Sequence, residues 1–138
     1  MRIFLLLCSA VLLTLSFPVG SPAAEPAAAA SNDKVLVVMV YDGGCHLWCD
    51  EVRPIINGVT KSYGGKVELH EIDVQKSALK ESLGKANELG VKSFVEGALA
   101  WVPTVGVFDQ KRKLVKSIPG VSKKDTYKRM IEKALKSG

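Results

Sequence analysis

The sequence predicts an α/β domain: a four-stranded mixed sheet, built from a βαβ unit followed by a ββα unit, with helices on both faces. Three observations carry this. Lys34 to Tyr41 is a continuous apolar, β-branched run, the pattern of a strand buried on both faces of a parallel or mixed sheet. Two segments with apolar residues at helical spacing then alternate with a second strand-like run. Finally, two apolar runs separated by a short polar turn read as an antiparallel hairpin, ahead of a last amphipathic helix.

The chain of 138 residues is long enough for one domain with a substantial core. Its formal charge is +5, with Lys and Arg spread along the sequence, which reads as a solvated basic surface. A nucleic-acid face would need a basic stripe interleaved with aromatics, so no nucleic acid is expected as a partner.

The N-terminus reads as a targeting segment. Met1-Arg2 is a short positive start, Ile3 to Phe17 is almost wholly apolar, and Pro18, Gly20 and Pro22 break any helix. The run is short for a bilayer span, which takes about 20 apolar residues, and suits a signal-peptide core. Small residues from Ser21 to Ala30 offer cleavage sites. The expected organisation is a signal peptide over 1–24, an alanine-rich flexible tether over 25–33, and one domain over 34–138. The mature chain is expected to be exported, periplasmic if bacterial and otherwise secreted, with no stable membrane insertion after cleavage. A retained N-terminal anchor is the alternative.

Cleavage would remove Cys8 and leave two cysteines, Cys45 and Cys49. In an oxidising compartment a lone pair is expected to be joined. A disulfide closing so short a loop adds little stability in the chain-entropy picture, which tilts the pair toward chemistry. Its setting does the same. An apolar strand ends in Asp42-Gly43-Gly44, and the cysteines follow where a helix should begin. The unpaired N–H groups and positive dipole end of a helix favour a thiolate.

In order, the first strand is Lys34 to Tyr41. Trp48, Val52, Ile55, Ile56 and Val59 then recur at helical spacing to about Ser62, with Pro54 inside the helix and expected to kink it. Tyr63-Gly64-Gly65 is a turn, and Lys66 to Val74 a second strand. Lys76 to Leu89 is a second helix, carrying Leu79, Leu83 and Ala86 on one side and stopped by Gly90. Val91 to Trp101 has no clean period and reads as a short helix or a covering loop. Thr104 to Phe108 and Lys113 to Ile118 form the hairpin, ended by Pro119-Gly120. Ser122 to Asp125 fits a capping box, and Tyr127, Met130, Ile131 and Ala134 line one face of the last helix.

From Lys34 onward the chain resembles the thioredoxin-fold family. The cysteine pair follows the first strand at a helix start. Pro54 lies five residues after the second cysteine, where thioredoxins carry their helix-kinking proline. Val102-Pro103-Thr104 matches the segment that holds the family's cis-proline, just before the hairpin, and Gly120 matches a glycine after it. The departures are equally specific. Three residues, His46, Leu47 and Trp48, separate the cysteines instead of two. Gly44 replaces the usual tryptophan, Met39 the buried acid and Leu69 its lysine partner. No counterpart of the family's N-terminal strand and helix precedes Lys34. The chain is identified as a divergent exported relative.

The extra residue constrains the geometry. Residues four apart in a regular helix sit about 6 Å apart along the axis, whereas disulfide Cβ atoms must approach within about 4.5 Å. Cys45 is therefore expected in the loop or a distorted first turn. That makes it the more exposed sulfur and the nucleophile, with Cys49 as the resolving thiol. His46, if protonated, would stabilise the Cys45 thiolate. Asp50 and Glu51 are expected to serve the helix N-terminus. Trp48 either packs under the disulfide, the default for such a residue, or forms a substrate wall. The resemblance implies that Val102 and Pro103 offer a backbone edge on which a substrate peptide pairs.

The function expected is thiol–disulfide exchange through a mixed disulfide on Cys45. It would need no cofactor and no metal. Its partners would be protein thiols and disulfides together with an upstream redox partner, acting on a monomer. Two classes compete: a structural or binding module with an inert disulfide, and a copper chaperone of the Sco type, which shares the fold and the three-residue cysteine spacing. In this chain Cys45, Cys49 and either His46 or His70 would have to be the ligands, and Asp50 stands where Sco-type proteins have a proline. Zinc is disfavoured, because two cysteines and two histidines lack the paired spacing of structural sites.

Overall fold

The computed structural model describes residues 33–138; the expected signal peptide and most of the tether lie outside them. The elements are β1 (Val35–Tyr41), α1 (Trp48–Lys61), a 3-10 turn (Gly64–Lys66), β2 (Val67–Asp73), α2 (Leu79–Glu88), α3 (Lys92–Ala98), β3 (Thr104–Phe108), β4 (Leu114–Pro119) and α4 (Lys124–Lys136). The strands form one sheet in the order β2-β1-β3-β4. β1 runs parallel to β2 and antiparallel to β3, and β3 and β4 form the antiparallel hairpin.

The buried run that predicts a central strand does become one: Val35 to Val40 are all fully buried, between β2 and β3. Because strand side chains alternate between faces, this one strand feeds two cores. Val35, Val37 and Met39 pack with Cys49, Val52, Ile56 and Val59 of α1 and with Tyr127, Ile131 and Ala134 of α4. Leu36, Val38 and Val40 pack on the opposite face with Ala86 of α2, Val91, and Val95 and Ala98 of α3. Helices therefore cover both faces, α1 and α4 on one and α2 and α3 on the other.

Several boundaries differ from the sequence reading. Residues 76–78 form a turn, closed by the Ala78 N–H donating to the Gln75 carbonyl at 2.9 Å, and α2 begins only at Leu79. Val91 to Trp101 resolves into α3 and a short turn. Its Phe94 ring lies against Gly106 and meets Phe108 edge-on at 5.2 Å between centroids. The expected capping box at Ser122 does not form. α4 starts one residue too late for it, with Lys123 at the cap and no side-chain cap bond. Pro54 lies inside α1, which continues through it.

β3 and β4 are joined by a turn that Asp109 organises. Its buried carboxylate accepts the backbone N–H groups of Lys111 and Lys113, each at 2.9 Å. Arg112 takes the left-handed conformation, at φ 61°.

Candidate functional site

Residues 42–47 link the end of β1 to α1 at the edge of the sheet where β2 also ends. The Cys45 N–H donates to the Asp42 carbonyl at 2.8 Å, closing a four-residue turn. Asp42 tightens it by accepting the Gly44 N–H on its side chain at 2.8 Å. The loop is also tied sideways. Asp73, the last residue of β2, accepts the Gly43 N–H at 3.0 Å and the Gln75 N–H at 2.9 Å on the same oxygen. A Cβ on Gly43 would stand 2.9 Å from the Gln75 amide oxygen and 3.0 Å from Asp73, so a larger residue there would displace these two side chains.

The turn leaves Cys45 outside α1, while Cys49 occupies the helix's first turn. Their Cα atoms are 5.7 Å apart, and the sulfurs are joined in a disulfide. The Cα separation lies at the ordinary value for such bonds. The two cysteines differ in exposure. Cys49 is 1 % exposed within the α1–α4 core, whereas Cys45 is half-buried at that core's edge. Leu47, at the helix cap, makes no side-chain capping bond, so no cap side chain competes with a thiolate for the first-turn amides. A surface hollow of about 300 Å³ is bounded by Gly44, Cys45, His46, Leu47 and Trp48.

Trp48 corrects the default expectation of core packing. It is 61 % exposed, beside an 84 % exposed Leu47. Although Trp48 stands one turn before Val52 on the apolar side of α1, it is the first residue of the helix, beside the cysteine loop, and it becomes an apolar wall of the hollow rather than a prop under the disulfide. His46 is also open to solvent, its Nδ1 3.8 Å from an Asp50 carboxylate oxygen. Asp50 and Glu51 lie in the first turn of α1.

The residues that sequence reasoning passed over form a polar brace beside the site. Arg53 Nε donates to Glu71 of β2 at 2.7 Å, and Arg53 Nη1 donates to Asp50 at 3.1 Å. Asn57 donates to the other Glu71 oxygen at 3.3 Å. The guanidinium stands 4.8 Å from the centre of the Tyr41 ring, and its hydrogen bond to Glu71 raises its pKa above the ordinary arginine value. The brace joins the first turns of α1 to the two strands beneath. Acidic residues at alternate positions of β2 were its only trace in the sequence.

His70 lies on the other side of the sheet. Its neighbour Glu71 points to α1, so alternation along β2 turns His70 toward α2, where Glu68, Lys85 and Arg112 are its charged neighbours. Arg112, nearly buried, donates to Glu68 at 2.7 Å. The copper reading through His70 fails here, because the sheet separates that imidazole from Cys49. Among the described residues no three His, Cys, Asp or Glu side chains gather closely enough to hold a metal ion.

Val102 and Pro103 precede β3, whose first residue, Thr104, pairs with Val40. They therefore sit at the same end of the sheet as the cysteine loop. The Val102–Pro103 peptide is cis. Pro103 is buried and its carbonyl accepts the Gly120 N–H at 2.7 Å, while Val102, half-buried, lies outside the strand ladder. Trp101, 73 % exposed, projects beside them. It walls a separate apolar trough of about 540 Å³, shared with Phe94, Gly97, Leu114 and Pro119, that includes no residue of the cysteine loop.

No family model matches the chain, and no curated protein does either. Solved structures do match. One is the crystal structure of a thiol:disulfide interchange protein, a thioredoxin family protein from Chlorobium tepidum TLS. It has a TM-score of 0.56 and 18 % identity, over 78 % of this chain and 84 % of that one. Another is described as a malarial protein, with a TM-score of 0.51 and 17 % identity, over 74 % of this chain and 98 % of that one. At these identities the likeness is one of architecture.

Proposed function

We propose that this chain, which has the thioredoxin fold, is a thiol–disulfide oxidoreductase acting on protein thiols and disulfides. The observation that carries the reading is the asymmetric pair: a half-buried Cys45 in a tethered loop, bonded to a Cys49 that is 1 % exposed in the first turn of α1. A structural bridge has no need of one accessible sulfur at a helix N-terminus. An exchange site has, because only the outer sulfur must meet a partner.

In the reducing direction the Cys45 thiolate attacks one sulfur of a substrate disulfide. A Cys45–substrate disulfide forms, and the substrate's other sulfur leaves as a thiolate that takes up a proton. Cys49 then gives up its proton and attacks the Cys45 sulfur. This expels the second substrate thiolate and closes the Cys45–Cys49 bond. Two electrons pass from the pair to the substrate, and an upstream dithiol or disulfide partner resets it. Run backwards, the same steps oxidise a substrate dithiol.

Leu47 and Trp48 supply an apolar wall for the substrate segment around the attacked sulfur, and Val102 with Pro103 supplies a backbone edge. His46 is open to solvent beside Asp50, so its influence on the thiolate is that of a surface charge. The domain spans residues 34–138, follows an exported leader and a short tether, and works as a monomer. No helix among the described residues is long and apolar enough to cross a membrane.

The test is redox equilibration of the protein with glutathione, followed by turnover of a disulfide-containing peptide in the presence of a dithiol. A reversible two-electron couple with catalysed peptide reduction supports the reading. A pair that titrates but accelerates no exchange refutes it.

A further inference from the structure

The basic residues, expected to be spread along the chain, are concentrated at its C-terminal end, and the fold lays that end along one side of the domain. Ten of the nineteen Lys and Arg fall between Lys111 and Lys136, against two of the fourteen Asp and Glu, Asp125 and Glu132. Residues 111–138 thus carry +8. Residues 33–110 hold eight cations and eleven acids, a balance of −3.

The two charge populations occupy different parts of the molecule. The basic stretch is β4, an edge strand, and α4, which packs beside it. Of its ten cations only Arg112 is buried and ion-paired, with Glu68. Eight of the other nine are exposed and Lys128 is half-buried, and among the described residues none lies within ion-pair distance of a carboxylate. Solubility alone needs no such segregation, since mixed charges serve it. Edge protection accounts for Lys116 on β4, but not for the lysines of α4.

This basic face reaches the redox site. The bond from Gly120 N–H to the Pro103 carbonyl holds the start of α4 at the Val102–Pro103 segment. Lys123 and Lys124 follow directly, and Lys128 comes one turn later. Toward the opposite, β2 edge stand Asp42 and Asp73, which hold the cysteine loop, and Asp50 and Glu71, which share the single cation Arg53. The disulfide therefore sits on a boundary between positive and negative surface.

Resting on the oxidoreductase reading, we propose that the β4–α4 face is a docking surface for an acidic polypeptide, which presents its disulfide to Cys45 while its carboxylates lie along α4. Such a partner is drawn to α4 and repelled by the acidic flank, so charge selects it and sets its direction across the site. A membrane surface fits less well. The apolar side chains Tyr127, Ile131 and Ala134 of α4 are buried in the core, leaving the helix no apolar face to insert into lipid. Nucleic acid lacks stacking partners on the helix, whose only aromatic is the buried Tyr127.

The experiment compares three disulfide substrates: an acidic peptide, a basic peptide with the same residues around its disulfide, and the neutral 2-hydroxyethyl disulfide. Wild type should reduce the acidic peptide about tenfold faster than the basic one at low salt, with the ratio falling toward one as salt rises. A Lys123→Glu, Lys124→Glu, Lys128→Glu variant should invert the ratio, and the corresponding Gln variant should abolish it. A ratio near one in wild type at low salt, or a ratio that neither variant changes, overturns the proposal. So does binding to phosphatidylglycerol vesicles without peptide preference, which would make the face a membrane surface. Loss of activity on all three substrates, the neutral one included, refutes the oxidoreductase reading itself.

Discussion

Asp73 accepts the Gly43 backbone N–H at 3.0 Å, across thirty residues of sequence. A carboxylate at the end of β2 thereby holds the loop that presents Cys45. The same oxygen orders the start of the following turn through Gln75. Asp73→Ala should remove both bonds. Each is solvent-exposed and worth about 0.5–1 kcal/mol, so stability should fall by about 1 kcal/mol, or roughly 5 °C in Tm. Asp73→Asn keeps an acceptor oxygen and should lose less. Thermal denaturation of the two variants checks the order. Equal losses would mean that the charge, rather than the hydrogen bonds, holds the loop.

Gly106 on β3 lies under two aromatic rings. A Cβ there would stand 2.6 Å from Phe94 and 2.9 Å from Phe108. Gly106→Ala should cost about 1–3 kcal/mol through overpacking. Adding Phe94→Leu makes room, and the double variant should lose less than the sum of the single losses. Additive losses in urea denaturation would show that the rings move aside freely.

His70 gives stability a pH dependence. Burial is the largest influence on it and lowers its pKa below the ordinary 6.5; Glu68 opposes this, and Lys85 and Arg112 reinforce it. The unfolded chain therefore binds this proton more readily than the folded one. The contribution is fully present above about pH 6.5 and is lost as pH falls from there through the folded pKa. His70→Gln should flatten the stability profile in that window. A profile as steep as wild type would mean that other groups dominate it.

His46 should matter little. It is exposed and 3.8 Å from Asp50, and a surface charge interaction is worth at most about 1 kcal/mol. His46→Ala should therefore shift the reduction potential by no more than about 20 mV, measured against glutathione at pH 6 and 8. A shift several times larger would give the imidazole a direct role at the sulfur.

Much of this was legible in the sequence because it is local or periodic. The unbroken apolar run of β1 implies burial on both faces, and three residues between cysteines cannot be spanned inside a regular helix, which is why Cys45 had to leave it. What escaped depends on distant partners. Nothing near Asp73 announces Gly43, and Arg53 and Glu71 meet only once α1 lies on β2. Trp48 departs from expectation because helical spacing puts it on the side of Val52 and Val59, while its place as the first residue of α1 leaves it beside the loop instead of in the core. The face occupied by His70 follows from strand alternation, but only after Glu71 has been assigned to α1. The concentration of charge from Lys111 onward acquires a location only when β4 and α4 lie side by side.

The central claim is that Cys45 exchanges with partners and Cys49 resolves. It is tested most directly by incubating the Cys49→Ser and Cys45→Ser variants with a disulfide-containing protein substrate and measuring the covalent mixed disulfides by non-reducing mass spectrometry. The account predicts that Cys49→Ser accumulates a mixed disulfide through Cys45, while Cys45→Ser, left with a cysteine that is 1 % exposed in the folded protein, accumulates little. Equal trapping by the two variants, or none by either, would contradict it.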